Sequence, residues 1–331
     1  MAEYPPLGRF VTVEGQRLHV LETGQPRGQA PDVVLIHGAN GNLRDFTFDI
    51  TGRLEDAFHL YVVDRPGLGY SESAGAADTD PAHQARVLRA ALARLGLRRP
   101  PIVVGQSYGG AVAMAWALQA PEDTAALVII SGATHPWGGG MTPWNWLNDT
   151  RAGPPARTAV SALAPEAIAA PALALIFAPN AVPEGYAEHF GTSLSMRRAS
   201  QAASAAQVNA LHEHLVAMAP RYPSLSMPIE VLHGDRDLLL PLDTHARPLV
   251  AAVPSARLTV LHGAGHMAHH ADPDAVAAAV FRAAERAGLQ PGGARRSRRS
   301  APDLQDRVSA VTAPTARPTP VSARPPRPSH S

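Results

Sequence analysis

The chain has 331 residues, 45% of them hydrophobic and 17% charged, enough to build a substantial α/β core in one large domain or two smaller ones. It has no cysteine, which excludes disulfides, cysteine-ligated zinc and a cysteine nucleophile. Its net charge is +1, and no apolar run is long enough to span a bilayer, so neither a nucleic-acid surface nor a membrane span is expected.

The N-terminal Met1-Ala2-Glu3-Tyr4-Pro5-Pro6 has no basic region followed by an apolar core, so no secretory signal is expected and a cytoplasmic enzyme is the expectation. Arg9 to Val13 and Arg17 to Leu21 read as two strands joined around Glu14-Gly15-Gln16. Asp32 to Ile36 and Leu60 to Val63 are compact apolar runs, ending at His37-Gly38 and at Asp64-Arg65-Pro66-Gly67-Leu68-Gly69. Pro81 to Leu95 carries Val87, Leu88, Ala91, Leu92 and Leu95 at helical spacing. A strand from Ile102, a helix over Ala111 to Leu118 and a fourth apolar run over Ala125 to Ile130 follow. Continuous rather than alternating apolar strands, separated by helices, predict a parallel sheet covered on both faces.

The rhythm stops after Ser131-Gly132. Residues 133–226 are rich in Ala, Pro and Gly, show no clear strand, and hold Trp137, Trp144 and Trp146, three of the four tryptophans. An insertion of that length exceeds an ordinary loop and predicts a helical cap over the C-terminal edge of the sheet. The β/α rhythm resumes with a strand over Ile229 to Leu232, a helix near Asp243 to Val253 with Asp243 as its expected N-cap, a strand over Arg257 to Leu261 and a helix from Pro273 to Ala287. The expected divisions are therefore a core in two parts, 1–132 and 227–289, a cap over 133–226, and a disordered Arg/Pro-rich tail over 290–331. Residues 291–331 hold eight Arg against Asp303 and Asp306, which leaves the rest of the chain near −5. The run Arg295-Arg296-Ser297-Arg298-Arg299 reads as solvated tail, with electrostatic docking of an acidic partner as the other reading.

The chemistry concentrates at Gly105-Gln106-Ser107-Tyr108-Gly109, between an apolar strand and a helix. Two glycines let the strand turn sharply and hold a serine at the apex, its hydroxyl exposed beside the amides that open the helix. A serine hydroxyl is barely ionised at neutral pH, so it needs a histidine base and an acid that orients that base. In a nucleophile elbow the chain order is serine, acid, histidine. Downstream, one strand ends in His233-Gly234-Asp235-Arg236-Asp237 and the last ends in His262-Gly263-Ala264-Gly265-His266-Met267, both at the strand termini where parallel sheets place ligand sites. The amide of Tyr108 is the expected first donor of an oxyanion hole, and Ala39, or alternatively Asn40, the second.

With these motifs the chain resembles the α/β-hydrolase superfamily over about residues 8–288. The matching residues are His37-Gly38, Asp64 to Ser71, Gly105 to Gly110, Gly234 to Asp237 and Gly265-His266-Met267. The resemblance implies a mostly parallel central sheet with helices on both faces and a helical cap inserted after the strand ending near Ile130. Through the family's G-x-x-D pattern it makes Asp237 the acid of a triad with Asp235 as the alternative, and through its G-H motif it makes His266 the base. His233 is then expected to pack near the acid, His262 at the strand end, and His269 and His270 at the rim or toward solvent. It gives His37 a role in shaping the oxyanion loop and makes Asp64 to Gly69 a structural turn under the site; the Lys-Ser/Thr of a phosphate loop is lacking. No metal-ligand spacing is evident, His212 and His214 read as a solvated helix segment, and no cofactor is implied.

The expected function is cleavage of a carboxylic ester or related acyl compound through an acyl-enzyme on Ser107, on a small hydrophobic substrate. Leu173-Ala174-Leu175-Ile176-Phe177 would either line an apolar pocket or pack the cap on the body. The same triad serves C–C bond hydrolases and cofactor-free perhydrolases or haloperoxidase-like enzymes, and a non-catalytic ligand-binding homologue is a further alternative. An aminopeptidase would need an anionic cap pocket, for which Glu166, Glu184, Glu188 and Glu213 are available.

Overall fold

The structure is a computed structural model and describes residues 4–137 and 165–292. Trp144, Trp146 and the arginine run 295–299 lie outside the described residues. Eight strands form one sheet in the order β1-β2-β4-β3-β5-β6-β7-β8, with β1 Arg9–Val13, β2 Gln16–Gly24, β3 Asp32–Ile36, β4 His59–Val63, β5 Ile102–Gln106, β6 Ala126–Ile130, β7 Ile229–Gly234 and β8 Ala256–Leu261. The hairpin β1–β2 joins β4 antiparallel, and all remaining pairings are parallel.

The apolar runs are continuous because successive residues face two different cores. Val34, Ile36, Val103 and Leu127 point into one core, which also receives α3 (Pro81–Leu95) and α4 (Tyr108–Gln119). Val33, Leu35, Ile102 and Val104 point into the other, closed by α2 (Ile50–Leu54) and the C-terminal helix Pro273–Arg286. Helix α3 forms where its spacing predicts. Asp80 accepts the Ala82 amide at 2.8 Å, Pro81 opens the first turn, and Gly96 ends it with φ of 100°. Helix α4 starts directly at Tyr108, earlier than the apolar stretch suggested, because the elbow turn itself opens it. It is buried along nearly its whole length, between the sheet and α3.

Between β6 and β7 the described residues hold helices and no strand: α5 Pro165–Phe177, α6 Tyr186–Phe190, α7 Thr192–Ser195, α8 Arg198–Met218 and a 3-10 turn Ala219–Ser224. Helix α1 (Arg44–Thr47) contacts α6, and α8 lies against α4 and the 3-10 turn Gly75–Thr79. Leu173 and Phe177 cluster with Tyr186, Phe190 and Met267, so they serve packing, whereas Leu175 is 66% exposed.

Two expectations about caps and termini are corrected. Helix α9 is Leu242–Ala252, its N-cap is the extended Pro241, and Asp243 lies in the first turn paired with Arg247 at 2.6 Å. Proline fixes the extended backbone at the boundary, so the acid is left to favour the positive end of the helix rather than to cap it. His269 and His270 do not face solvent; both imidazoles are buried on α10 (Ala268–Ala271), against Asp45 of α1. The final helix, α11, is Pro273–Arg286, with Asp272 accepting the Ala275 amide at 2.9 Å.

Candidate active site

The C-terminal ends of β3, β5, β7 and β8 bring the singled-out residues together. At the end of β5, Ser107 has φ 53° and ψ −120°, a conformation a side chain rarely adopts and one that costs about 1–3 kcal/mol. The surroundings over-determine it. The Ser107 amide donates to Ile130 O at 3.0 Å, and its carbonyl accepts from Gly110 and Ala133 amides, each at 3.0 Å. A Cβ at Gly105 would overlap the Gly109 carbonyl, and one at Gly109 would overlap the Ile36 carbonyl. Both glycines are therefore required by close approach of backbone.

His266, between β8 and α10, stands beside the serine, with its Nε2 3.0 Å from Ser107 Oγ and its Nδ1 2.9 Å from Asp237 Oδ2. A carboxylate can only accept, so Nδ1–H donates to Asp237 and Nε2 is left to accept the serine proton. Asp237 Oδ1 accepts the amides of Leu239 and Leu240, each at 2.9 Å. His233 Nε2 lies 2.7 Å from Leu240 O and 3.3 Å from Asp237 Oδ2, as its expected packing near the acid requires. Burial alone would raise the Asp237 pKa. The charge of His266 and the hydrogen bonds from His233, His266 and Leu240 outweigh it and hold the carboxyl well below the usual range. Asp235 stands elsewhere: it pairs with His262 at 2.9 Å, where the imidazole is 86% exposed, and accepts the Gly263 amide at 2.7 Å. Of the two acids, Asp237 is the one hydrogen-bonded to His266.

The amides of Tyr108 and Ala39 have no hydrogen-bond partner among the described residues. Asn40, the other option for the second donor, has φ 54° and its amide is already donated to Ser204 Oγ of α8 at 2.9 Å. Of the two candidates for the second donor, the Ala39 amide is therefore the one left free. Asp64 accepts the amides of Leu43 at 2.7 Å and Tyr70 at 2.8 Å and pairs with His19 at 2.7 Å, so it braces the turn that follows β4.

Several residues that shape this region carry no sequence signal. Asn180, just after α5, accepts the Gly265 amide at 2.8 Å and donates to Gly263 O at 3.1 Å, bracing the loop that carries His266. Asp45 accepts from Tyr186 at 2.7 Å, from His270 at 2.8 Å and from His269 at 3.0 Å. Burial would raise the Asp45 pKa, but the two imidazoles hold it well below the usual carboxylate range. The sequence spacing suggested no metal ligands, yet the fold brings donor atoms of Asp45, His269 and His270 within 4.8 Å of one another. A ligating Nε2 on His269 would move its proton to Nδ1, a buried atom without a partner. The cluster therefore fits shared hydrogen bonds better than a cation. His212 and His214 are half-buried rather than solvated, because His212 packs edge-on against Trp137 at 5.0 Å. Glu184, Glu188 and Glu213 are exposed, and the side chain of Glu166 lies outside the described residues. Among the described residues, no helix is long and apolar enough to cross a membrane.

A family model described as the alpha/beta hydrolase family matches residues 33–279. An uncharacterized protein of Mycobacterium tuberculosis is 28% identical over 293 residues, which cover 81% of this chain and 78% of that protein. A 2-hydroxy-6-oxononadienedioate/2-hydroxy-6-oxononatrienedioate hydrolase of Paraburkholderia phymatum is 32% identical over 121 residues, 36% of this chain and 41% of that one. The solved structure of a thermophilic esterase from Thermogutta terrifontis superposes with a TM-score of 0.68 at 22% identity, covering 85% of this chain and 99% of the other. At that identity the likeness is one of fold.

Proposed function

The chain belongs to the alpha/beta hydrolase family, and from that membership we propose that it is a serine hydrolase that cleaves a carboxylic ester or related acyl compound. The observation that carries this reading is the contact of His266 Nε2 with Ser107 Oγ at 3.0 Å, with Nδ1 of the same ring held by Asp237 at 2.9 Å. As Ser107 Oγ bonds to the carbonyl carbon, its proton passes to His266 Nε2 and the carbonyl oxygen becomes an anion. The amides of Ala39 and Tyr108 stabilise that charge by donating to it. His266 then returns the proton to the leaving alkoxide as the carbon–oxygen bond breaks, leaving an acyl-enzyme. Water, deprotonated by the same ring, attacks the acyl carbon, releases the acid and restores Ser107. Asp237 keeps the ring in the working tautomer and stabilises the imidazolium.

Residues 133–226 are taken as the cap that selects the substrate, which we assign to the small hydrophobic acyl class. The esterase neighbour supports ester chemistry. The partial likeness to an oxononadienedioate hydrolase supports a second reading, hydrolysis of a C–C bond next to a ketone by the same three residues.

Wild-type protein should be labelled by a fluorophosphonate probe and should hydrolyse short p-nitrophenyl esters. Ser107→Ala should lose both while its thermal unfolding is retained. Persistent ester hydrolysis in that variant would refute Ser107 as the nucleophile. A chain-length series of esters, run beside a 2-hydroxy-6-oxo dienoate, separates the two readings by kcat/KM.

A further inference from the structure

Arg65 has no exposed surface, yet none of its side-chain hydrogen bonds goes to a carboxylate. Its Nε donates to His37 O at 2.9 Å and its Nη2 to Gly38 O at 2.9 Å. Its Nη1 donates to Gln84 Oε1 at 2.9 Å and to Gln207 Oε1 of α8 at 2.7 Å. The guanidinium also lies 4.3 Å from the centre of the Tyr108 ring. Burial pushes its pKa down to about 10, so it stays charged at neutral pH. The Asp78 carboxylate acts on it without bonding it, but taking a cation out of water without a bonded counter-charge opposes folding, and an apolar side chain of equal volume would avoid that cost. The fold nevertheless satisfies the group with neutral oxygens alone, and it does so at one particular place. His37 and Gly38 precede Ala39, and Tyr108 supplies the other amide, so one side chain touches both halves of the candidate oxyanion hole.

We propose that Arg65 is the positioning residue of the oxyanion hole: its guanidinium fixes the His37–Ala39 loop against Tyr108 and places a positive charge, hydrogen-bonded to no carboxylate, behind the two amides. This rests on the serine-hydrolase reading given above. A preorganised positive field favours the species in which negative charge has formed over the neutral substrate. A carboxylate bonded to the fork would offset that field more than the unbonded Asp78 does, which accounts for acceptors that are carbonyls and glutamines. Gln207 ties the same group to α8, and its own Nε2 donates to Pro66 O at 2.8 Å, so the fork geometry is held from both sides.

The test measures kcat, KM and the inhibition constant of an aryl boronic acid, which forms an anionic adduct on the serine, in full-length protein. Arg65→Lys retains a charge but cannot reach both carbonyls and both glutamines. Gln207→Glu retains the fork and places a carboxylate against it. For each, kcat and boronate affinity should fall by about 100-fold, the scale of losing one oxyanion donor, with KM within about three-fold of wild type. A merely structural arginine would change stability without moving boronate affinity relative to KM. If Arg65→Lys does not fold, Gln207→Glu decides by the same ratio. Wild-type kcat and boronate affinity in the folded variants, in a protein whose wild type reacts with fluorophosphonate, would overturn the assignment and leave the serine-hydrolase reading standing. A wild type that reacts with neither reagent would overturn both.

Discussion

Acidification should destabilise this protein through His37. The ring has no exposed surface, its Nδ1–H donates to Gly38 O at 2.9 Å, and its Nε2 accepts the Arg65 amide at 3.1 Å. A second proton on Nε2 would face that N–H directly. Burial, reinforced by the Arg65 charge, accordingly lowers the His37 pKa from 6.5 to about 4. In the unfolded chain the ring titrates near its ordinary value, so between pH 6.5 and 4 the unfolded state binds the proton and the folded state does not. Stability therefore falls as pH drops through that window, by about 3 kcal/mol at about 1.36 kcal/mol per pH unit of displacement, and His37 adds no further change below about pH 4. Urea unfolding of wild type and His37→Gln at about pH 7, 5.5 and 4 isolates this contribution, because the other titrating groups are common to both. The variant should be the less stable protein at neutral pH, with the two curves converging as pH falls. Parallel curves, with the same loss on acidification in both proteins, would refute the neutral, doubly bonded imidazole.

Asp237→Asn should lower kcat by about 10⁴-fold, because a carboxamide can donate to His266 and select the wrong tautomer. Asp235→Asn, at its exposed pair with His262, should stay within about two-fold, and ester kinetics on the two variants reverse the acid assignment if the order is inverted. Asp45→Ala leaves Tyr186, His269 and His270 without their shared buried acceptor. It should cost at least about 3 kcal/mol in urea unfolding, at about 1–3 kcal/mol for each abandoned group, and a loss below about 1 kcal/mol would mean the cluster is already hydrated.

The parallel sheet, the turn at Ser107 and the places of Ser107, Asp237 and His266 after strand ends were legible in the chain because each depends on neighbours in sequence. Continuous Val/Ile/Leu runs mark strands buried on both faces, and Gly105 and Gly109 mark a turn whose close backbone contacts admit no Cβ. Pairings between distant residues were not legible. Asp45 meets His269 and His270 across 224 and 225 positions of sequence, and nothing in Arg-Asp-Phe-Thr or Ala-His-His-Ala announces a partner. That α8 brings a hydroxyl to the Asn40 amide and leaves the Ala39 amide free was likewise visible only in three dimensions. Arg65 stood in plain view within a turn motif, but that its charge would be buried among carbonyls and glutamines was not visible. The sequence by itself determined the local backbone and thus which residues stand at strand ends. Only the tertiary structure decided which polar groups satisfy one another there, because hydrogen-bond partners in a folded core are chosen by proximity in space and not along the chain.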